Sequence, residues 1–137
     1  NFVGPKAIIN SDSDIKNNCI INSGSIIEHE CKLMDNVHAG PGSIICGRVK
    51  VERNCFVGAG SKVIQGITIK KNCIIGAGSV VIRDVPNYAL VVGNPSKQIG
   101  WVGRMGLKLQ EEEGFWVCPT SGEKYSLTDG KLFLVDP

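Results

Sequence analysis

The sequence predicts an all-β fold: a parallel β-helix shaped as a triangular prism, followed by a short C-terminal helix and a small β-meander. Three observations lead there. From Val3 to Val81 an apolar residue returns every six positions, fourteen times without an insertion (Val3, Ile9, Ile15, Ile21 and onward to Ile75 and Val81). Four places after each comes a second, mostly small residue, among them Ser25, Cys31, Ser43, Cys55, Ser61 and Cys73. A slower period of eighteen lies on top, aligning Asn18, Asn36, Asn54 and Asn72 in one column and Gly24, Gly42, Gly60 and Gly78 in another. Asn and Gly accept left-handed backbone, so these columns are tight corners. Three hexads make one coil of three short strands, and stacked coils bury a core that no single coil can bury alone.

Taken in order, residues 1–86 form the prism. Val3 already stands in register and no cap precedes it. Solenoids need caps for solubility, so the expectation is that the start has been removed or that another domain once sat there. Pro86-Asn87 breaks the period. Residues 87–110 form a second unit: one strand after Tyr88, a Gly/Pro turn at Gly93 to Pro95, and a short helix over 98–110. Gly100, Gly103 and Gly106 weigh against that helix, each costing about 1 kcal/mol relative to Ala in a helix interior. Residues 111–137 alternate strand-like runs with turns at 119–122 and 128–130, the pattern of a three-stranded meander.

Composition narrows the function classes. A chain of 137 residues with net charge +2 is one domain and gives no argument for nucleic acid or membrane. No apolar run approaches a membrane span, and no charged-then-apolar leader is present. Four of the six cysteines, Cys19, Cys31, Cys55 and Cys73, occupy the small inward position, where a thiol packs as a small hydrophobe. No C-x-x-C pair exists, which argues against zinc, and Cys118 reads as structural. Reduced, buried thiols point to the cytoplasm.

The last position of each hexad faces outward and forms three columns. One is Ile8, Ile26, Ile44, Lys62 and Val80; another is Ile20, His38, Phe56 and Ile74; the third, Asp14, Lys32, Lys50 and Thr68, is polar. Two apolar ridges on a three-sided rod predict a homotrimer, since a rod that contacts two neighbours closes as a ring. A fold-back of the C-terminal segment over one face is the alternative.

Only two histidines occur, and both interrupt the ladder. His29 stands at a corner, in Ile27-Glu28-His29-Glu30-Cys31, where other coils have Ser11, Gly47 and Gln65. His38 replaces Ile or Phe on an apolar face. Half a coil separates them, so they share a level on the prism, and in a trimer His29 of one subunit and His38 of its neighbour can line one cleft. A neutral imidazole held by a carboxylate is a general base; a solvated polar corner is the plainer reading. Corners such as Gly58-Ala59-Gly60 and Gly76-Ala77-Gly78 follow from turn geometry, yet they also bare backbone groups to a long ligand.

The run from Phe2 to about Ile99 resembles the acyltransferase domain of bacterial sugar acetyltransferases, the group that includes sialic-acid O-acetyltransferases and the N-acetyltransferase of bacillosamine synthesis. The residues that carry the resemblance are Ile20 to Cys31 with its Glu28-His29-Glu30, Val37-His38, Cys46 to Lys50, Asn54 to Gly58, and Val92 to Lys97. The resemblance implies a left-handed prism, acetyl-CoA as co-substrate, no metal, His29 as general base and Glu30 as the acid that raises its basicity. It implies further that His38, backbone groups at Gly47, Ala59 and Ala77, and Lys97 contact the cofactor, Lys97 through a phosphate. Many relatives carry a preceding nucleotide-binding domain, and the expectation from these residues is that none is present here. The stretch from Ile99 to Gly106 and the tail are more similar to enzymes that N-acetylate nucleotide-linked 3-amino sugars and hold the acceptor between subunits.

The expected activity is therefore acetyl transfer from acetyl-CoA to an amino group of a nucleotide-activated sugar, in polysaccharide or glycan biosynthesis. Corner N–H groups such as that of Gly47 are the expected oxyanion donors. Two other readings remain: O-acetylation of a sugar hydroxyl, which the same base serves, and a trimeric scaffold without catalysis. A prism-type carbonic anhydrase needs three zinc-binding histidines, and two do not supply them.

Overall fold

The computed structural model describes residues 1–135. Fourteen two-residue strands, from Phe2–Val3 to Val80–Val81, wind around one axis. Residues eighteen apart pair in parallel, so each strand lies on its counterpart in the next coil. Face one stacks Phe2–Val3, Ile20–Ile21, His38–Ala39, Phe56–Val57 and Ile74–Ile75; face two stacks Ile8–Ile9 up to Val80–Val81; face three stacks Asp14–Ile15 up to Thr68–Ile69. The three outward columns expected from the sequence are in register as drawn, for instance Ile20, His38, Phe56 and Ile74.

The hexad explains each strand. Its first residue points out and its second points in, so Ile45, Val51, Val57, Val63 and Ile69 are fully buried. Truncating one of them, as in Ile45→Ala, is expected to cost about 2–5 kcal/mol. Below Val3 and Ile9 no coil lies among the described residues, and they are 53% and 41% exposed. At the corners the second turn residue takes a left-handed backbone, with φ between 57° and 61° at Asn18, Asn36, Asn54 and Asn72. Asn tolerates that conformation, and its side chains form a ladder: Asn36 Nδ2 donates to Asn54 Oδ1 at 2.9 Å, and Asn54 Nδ2 to Asn72 Oδ1 at 3.1 Å.

All six cysteines are free, and the four ladder thiols are buried. Each donates to a backbone carbonyl, Cys31 to Cys46 at 3.0 Å and Cys73 to Pro86 at 2.8 Å, for example. The Cys55 sulfur beside it and burial together push the Cys73 thiol far up.

Above the last coil, Ala89–Val92 extends face one and pairs antiparallel with Lys97–Trp101. The expected helix over 98–110 is absent: its first part is this strand, and Gly103 to Leu107 makes a tight turn closed by Gly103 N–H to Leu107 O at 3.0 Å. The three glycines weaken a helix, while Trp101 and Val102 gain burial by covering the end of the prism. The tail is a four-stranded antiparallel sheet, Gln110–Glu112, Phe115–Val117, Lys124–Thr128 and Lys131–Leu134, rather than three-stranded. The added strand is three exposed polar residues, turned by Glu113-Gly114 at positive φ. A second core of Tyr88, Trp101, Leu109, Cys118, Tyr125 and Leu132 fastens the tail to the prism. Tyr125, fully buried, accepts the Arg104 N–H at 2.9 Å. No helix among the described residues is long and apolar enough to cross a membrane.

Candidate active site

The corner between faces two and three carries Ser11, His29, Gly47, Gln65 and Arg83, one per coil. His29 Nδ1 lies 3.2 Å from Glu30 Oε1. Arg48, one coil above, reaches the same carboxylate with Nε at 3.4 Å from Oε2 and Nη2 at 3.4 Å from Oε1. Hydrogen bonding from Arg48 first, and from His29 second, holds the Glu30 carboxyl below its usual range. An ionised carboxylate only accepts, so in the neutral imidazole the proton is on Nδ1 and Nε2 offers a bare lone pair.

Gly47 makes room for that nitrogen. A β-carbon at position 47 would stand 2.5 Å from His29 Nε2 and 2.7 Å from Cε1. The Gly47 carbonyl accepts Gly66 N–H at 3.0 Å, while its own N–H has no acceptor among the described residues. Gln65 N–H, one coil up, is likewise open. A lone pair and an unpaired donor thus sit side by side, which is what proton removal and oxyanion binding need.

His38 belongs to face one, away from His29 within a single chain. Its Nε2 lies 3.1 Å from Asn22 Nδ2. Asn22 Oδ1 accepts Ser23 N–H at 2.8 Å, so the amide NH2 is the group turned toward the ring. His38 Nε2 is then an acceptor and its proton is on Nδ1. Burial pushes this imidazole down, toward the neutral form, and Phe56 meets it edge-on at 4.9 Å.

At the top of the His29 corner a cavity of about 390 Å³ is lined by Arg83, Asp84, Pro95, Ser96, Lys97 and Gln98 among others. Three coil spacings of about 4.8 Å, roughly 14 Å in all, separate Arg83 from His29. Ala59 and Ala77 lie on another corner, between faces one and two, with their N–H groups also unpaired. The structure therefore gathers His29, Glu30 and Gly47, sets Lys97 above them, and leaves His38, Ala59 and Ala77 on other sides of the prism.

Two residues of this chemistry escaped the sequence reading. Asn22 stands where the other coils have Gly4, Gly40, Gly58 and Gly76, and that break in a glycine column was its signal. Arg48 stands in a column with Asp12, Glu30, Gly66 and Asp84, the one cation among them.

Fold and corner together define a hexapeptide-type β-helix with a carboxylate-held histidine at one edge. Comparisons agree. Residues 48–83 match the hexapeptide repeat of succinyl-transferase, and residues 30–65 the bacterial transferase hexapeptide of six repeats. No curated protein matches significantly. Among solved structures, perosamine N-acetyltransferase from Caulobacter crescentus, in complex with CoA and GDP-perosamine, is 35% identical with a TM-score of 0.66; the match covers 72% of this chain and 58% of that one. The acetyltransferase domain of PglB from Neisseria gonorrhoeae, in complex with acetyl coenzyme A, is 31% identical with a TM-score of 0.68, over 69% of this chain and 46% of that one. UDP-N-acetylglucosamine acyltransferase from Campylobacter jejuni, at 18% identity and a TM-score of 0.62, shares the fold. Residues 30–83 thus carry hexapeptide repeats of the bacterial transferase type, and the chain shares its fold with these acetyltransferases. It spans little more than half the length of the perosamine enzyme that it matches.

Proposed function

We propose that this chain transfers acetyl from acetyl-CoA to an amino group of a nucleotide-linked sugar, with His29 as general base. The observation that carries the proposal is the pairing at one corner of a bare His29 Nε2 with the open N–H of Gly47. The amine lone pair attacks the thioester carbonyl carbon and its proton passes to Nε2. The oxyanion forms on the carbonyl oxygen, facing Gly47 N–H. Collapse of the tetrahedral intermediate breaks the C–S bond, and the departing CoA thiolate is protonated to the thiol.

Charge along the corner supports this orientation. Asp12, Glu28 and Glu30 lie at or below the base and attract a cationic amine, whereas Arg83 and Lys97 lie above it. Roughly 14 Å between His29 and those two cations suits a cofactor arm with a thioester at one end and phosphates at the other. The perosamine enzyme, solved with CoA and a nucleotide-linked sugar, supports the same choice of substrates.

The working unit in this reading is a homotrimer. Face one of each chain packs on face two of the next, burying Ile20, Phe56, Ile26 and Ile44. The corner between faces one and two then points at the threefold axis. The His29 corner opens outward against the neighbour's face one, where His38 contributes its Nδ1–H to the cofactor. Gly47 and Lys97 contact the cofactor from the His29 side; Ala59 and Ala77 border the inner end of the seam and meet it with their open N–H groups. Acetyl-CoA chemistry and buried free thiols support a cytoplasmic role in the synthesis of a polysaccharide or glycan.

Incubation with acetyl-CoA and a panel of amino-sugar nucleotides, following free thiol, tests the proposal. Thiol release with an amino sugar and none with its hydroxyl analogue is the expected result. Release with the hydroxyl sugar alone would establish O-acetylation, and no release with any acceptor would leave a scaffold.

A further inference from the structure

Arg48 is not needed to build its corner. The column it occupies takes a left-handed backbone whatever the side chain, with φ of 60°, 58°, 58° and 80° at Asp12, Glu30, Arg48 and Gly66. The Arg48 side chain is more than half exposed. What it does touch is the carboxylate that holds His29.

We propose that Arg48 is a positioning residue: its two-point contact with Glu30 fixes the carboxylate so that Oε1 meets His29 Nδ1 and Nε2 stays over Gly47. This deepens the reading of His29 as base and rests on it. The geometry has three parts. Glu30 Oε1 receives both His29 Nδ1–H, at 3.2 Å, and Arg48 Nη2–H, at 3.4 Å, while Oε2 receives Arg48 Nε–H, also at 3.4 Å. A planar guanidinium on two oxygens sets the carboxylate plane as well as its place. Glu30 is otherwise half exposed, and without Arg48 its side chain is free to turn toward water.

The cation has a second effect, opposite in sign to the first. It orients Glu30 but also offsets part of the carboxylate charge that stabilises the imidazolium. The titratable and charged groups on this corner are Glu28 and Glu30 on the His29 turn, Arg48 and Cys46 from the coil above, and Asp12 from the coil below. Glu28 is itself held by Asn10 Nδ2 at 2.9 Å. Arg48 is the only cation of this set, so its removal changes the balance in one direction.

The test is Arg48→Asn, since Asn accepts the left-handed backbone, set beside Arg48→Lys. In Arg48→Asn we expect kcat to fall about 2- to 5-fold, the size of an exposed ion pair expressed as a rate. The acidic limb of kcat/KM should rise by about 0.2–0.7 of a pH unit, because the imidazolium loses a like-charged neighbour. Arg48→Lys restores the charge but not the fork, so its limb should return to the wild-type position while kcat recovers only in part. Nitrogen NMR of the His29 ring supplies a readout independent of turnover: the Nδ1–H tautomer should dominate in the wild type and lose population in Arg48→Asn. Wild-type kcat, limb and tautomer populations in Arg48→Asn would overturn the proposal. If the chain transfers no acetyl group at all, the tautomer measurement still decides the role of Arg48. Melting temperature and mass should match the wild type in both variants.

Discussion

His29 and His38 carry the ring proton on the same nitrogen, Nδ1, and what each is for follows from which nitrogen its partner leaves free. His29 has its proton on Nδ1 because Glu30 accepts it, leaving Nε2 to remove a proton. His29→Ala should therefore lower kcat about 10²–10⁴-fold, with melting temperature and mass unchanged. Glu30→Gln should have a smaller effect and move the acidic limb of the pH profile down, because the imidazolium loses its counter-charge. His38 has Nε2 occupied by Asn22 and presents a donor, so His38→Ala should mainly raise KM for acetyl-CoA. The same site gives a stability signature. Burial lowers the His38 pKa, so the unfolded chain binds more protons as pH falls through the ordinary His range near 6.5. Stability should decline below that pH, and a His38→Asn variant should show a weaker decline in thermal melts. Ser43 offers a different check: its hydroxyl is buried with no partner, so Ser43→Ala should melt at or above the wild-type temperature.

At the scale of the corner and the strand, the repeat was legible because each hexad states one strand and one turn. Register, inward cysteines and outward columns all follow from it. The second core was not, since its residues are brought together by chain reversal rather than by a period. Gln98 to Gln110 has spacing that suits either state, and its three glycines decide against a helix and for a strand and a turn. Gln110–Glu112 is polar and short, so only pairing with Phe115–Val117 makes it a strand. In the site, His29 and Glu30 stood out as unusual residue types in a regular column, while Asn22 and Arg48 blended into polar corners that Asn, Asp and Lys also fill. Gly47 shows how closely a corner is fitted to its chemistry. Gly47→Ala places a methyl where the imidazole rests, so kcat should drop at least tenfold, while the far-ultraviolet circular dichroism stays that of the wild type.

Across the whole molecule, the outward columns are the faces through which the proposed trimer associates. Phe56 and Ile20 remain more than a third exposed in the single chain, on a face otherwise filled by His38 and Ile74. Light scattering of the wild type should report three times the chain mass. Phe56→Glu should yield monomers and abolish turnover with them, because the proposed cleft is built from two chains; a monomeric wild type with full activity would rule the shared cleft out. The thiols report on the same packing. In the native protein the four ladder cysteines should resist a thiol reagent, and in denaturant all six should react.

The constant step from coil to coil also makes the prism a ruler. His29 and the Arg83–Lys97 cavity are three graduations apart, and in the proposed reading a cofactor arm of fixed length touches both ends. The fold itself is indifferent to one coil more or less, because each coil presents the same faces to its neighbours. Excision of residues 54–71 would preserve every strand pairing and close the ladder on itself, yet bring the phosphate end about 4.8 Å too near the base. Such a chain should assemble and melt cooperatively while binding acetyl-CoA out of phase with its own catalytic histidine. Length changes in this protein thus divide into those that the backbone rejects, any number that is not a multiple of eighteen, and those that only the cofactor of the proposed reading detects.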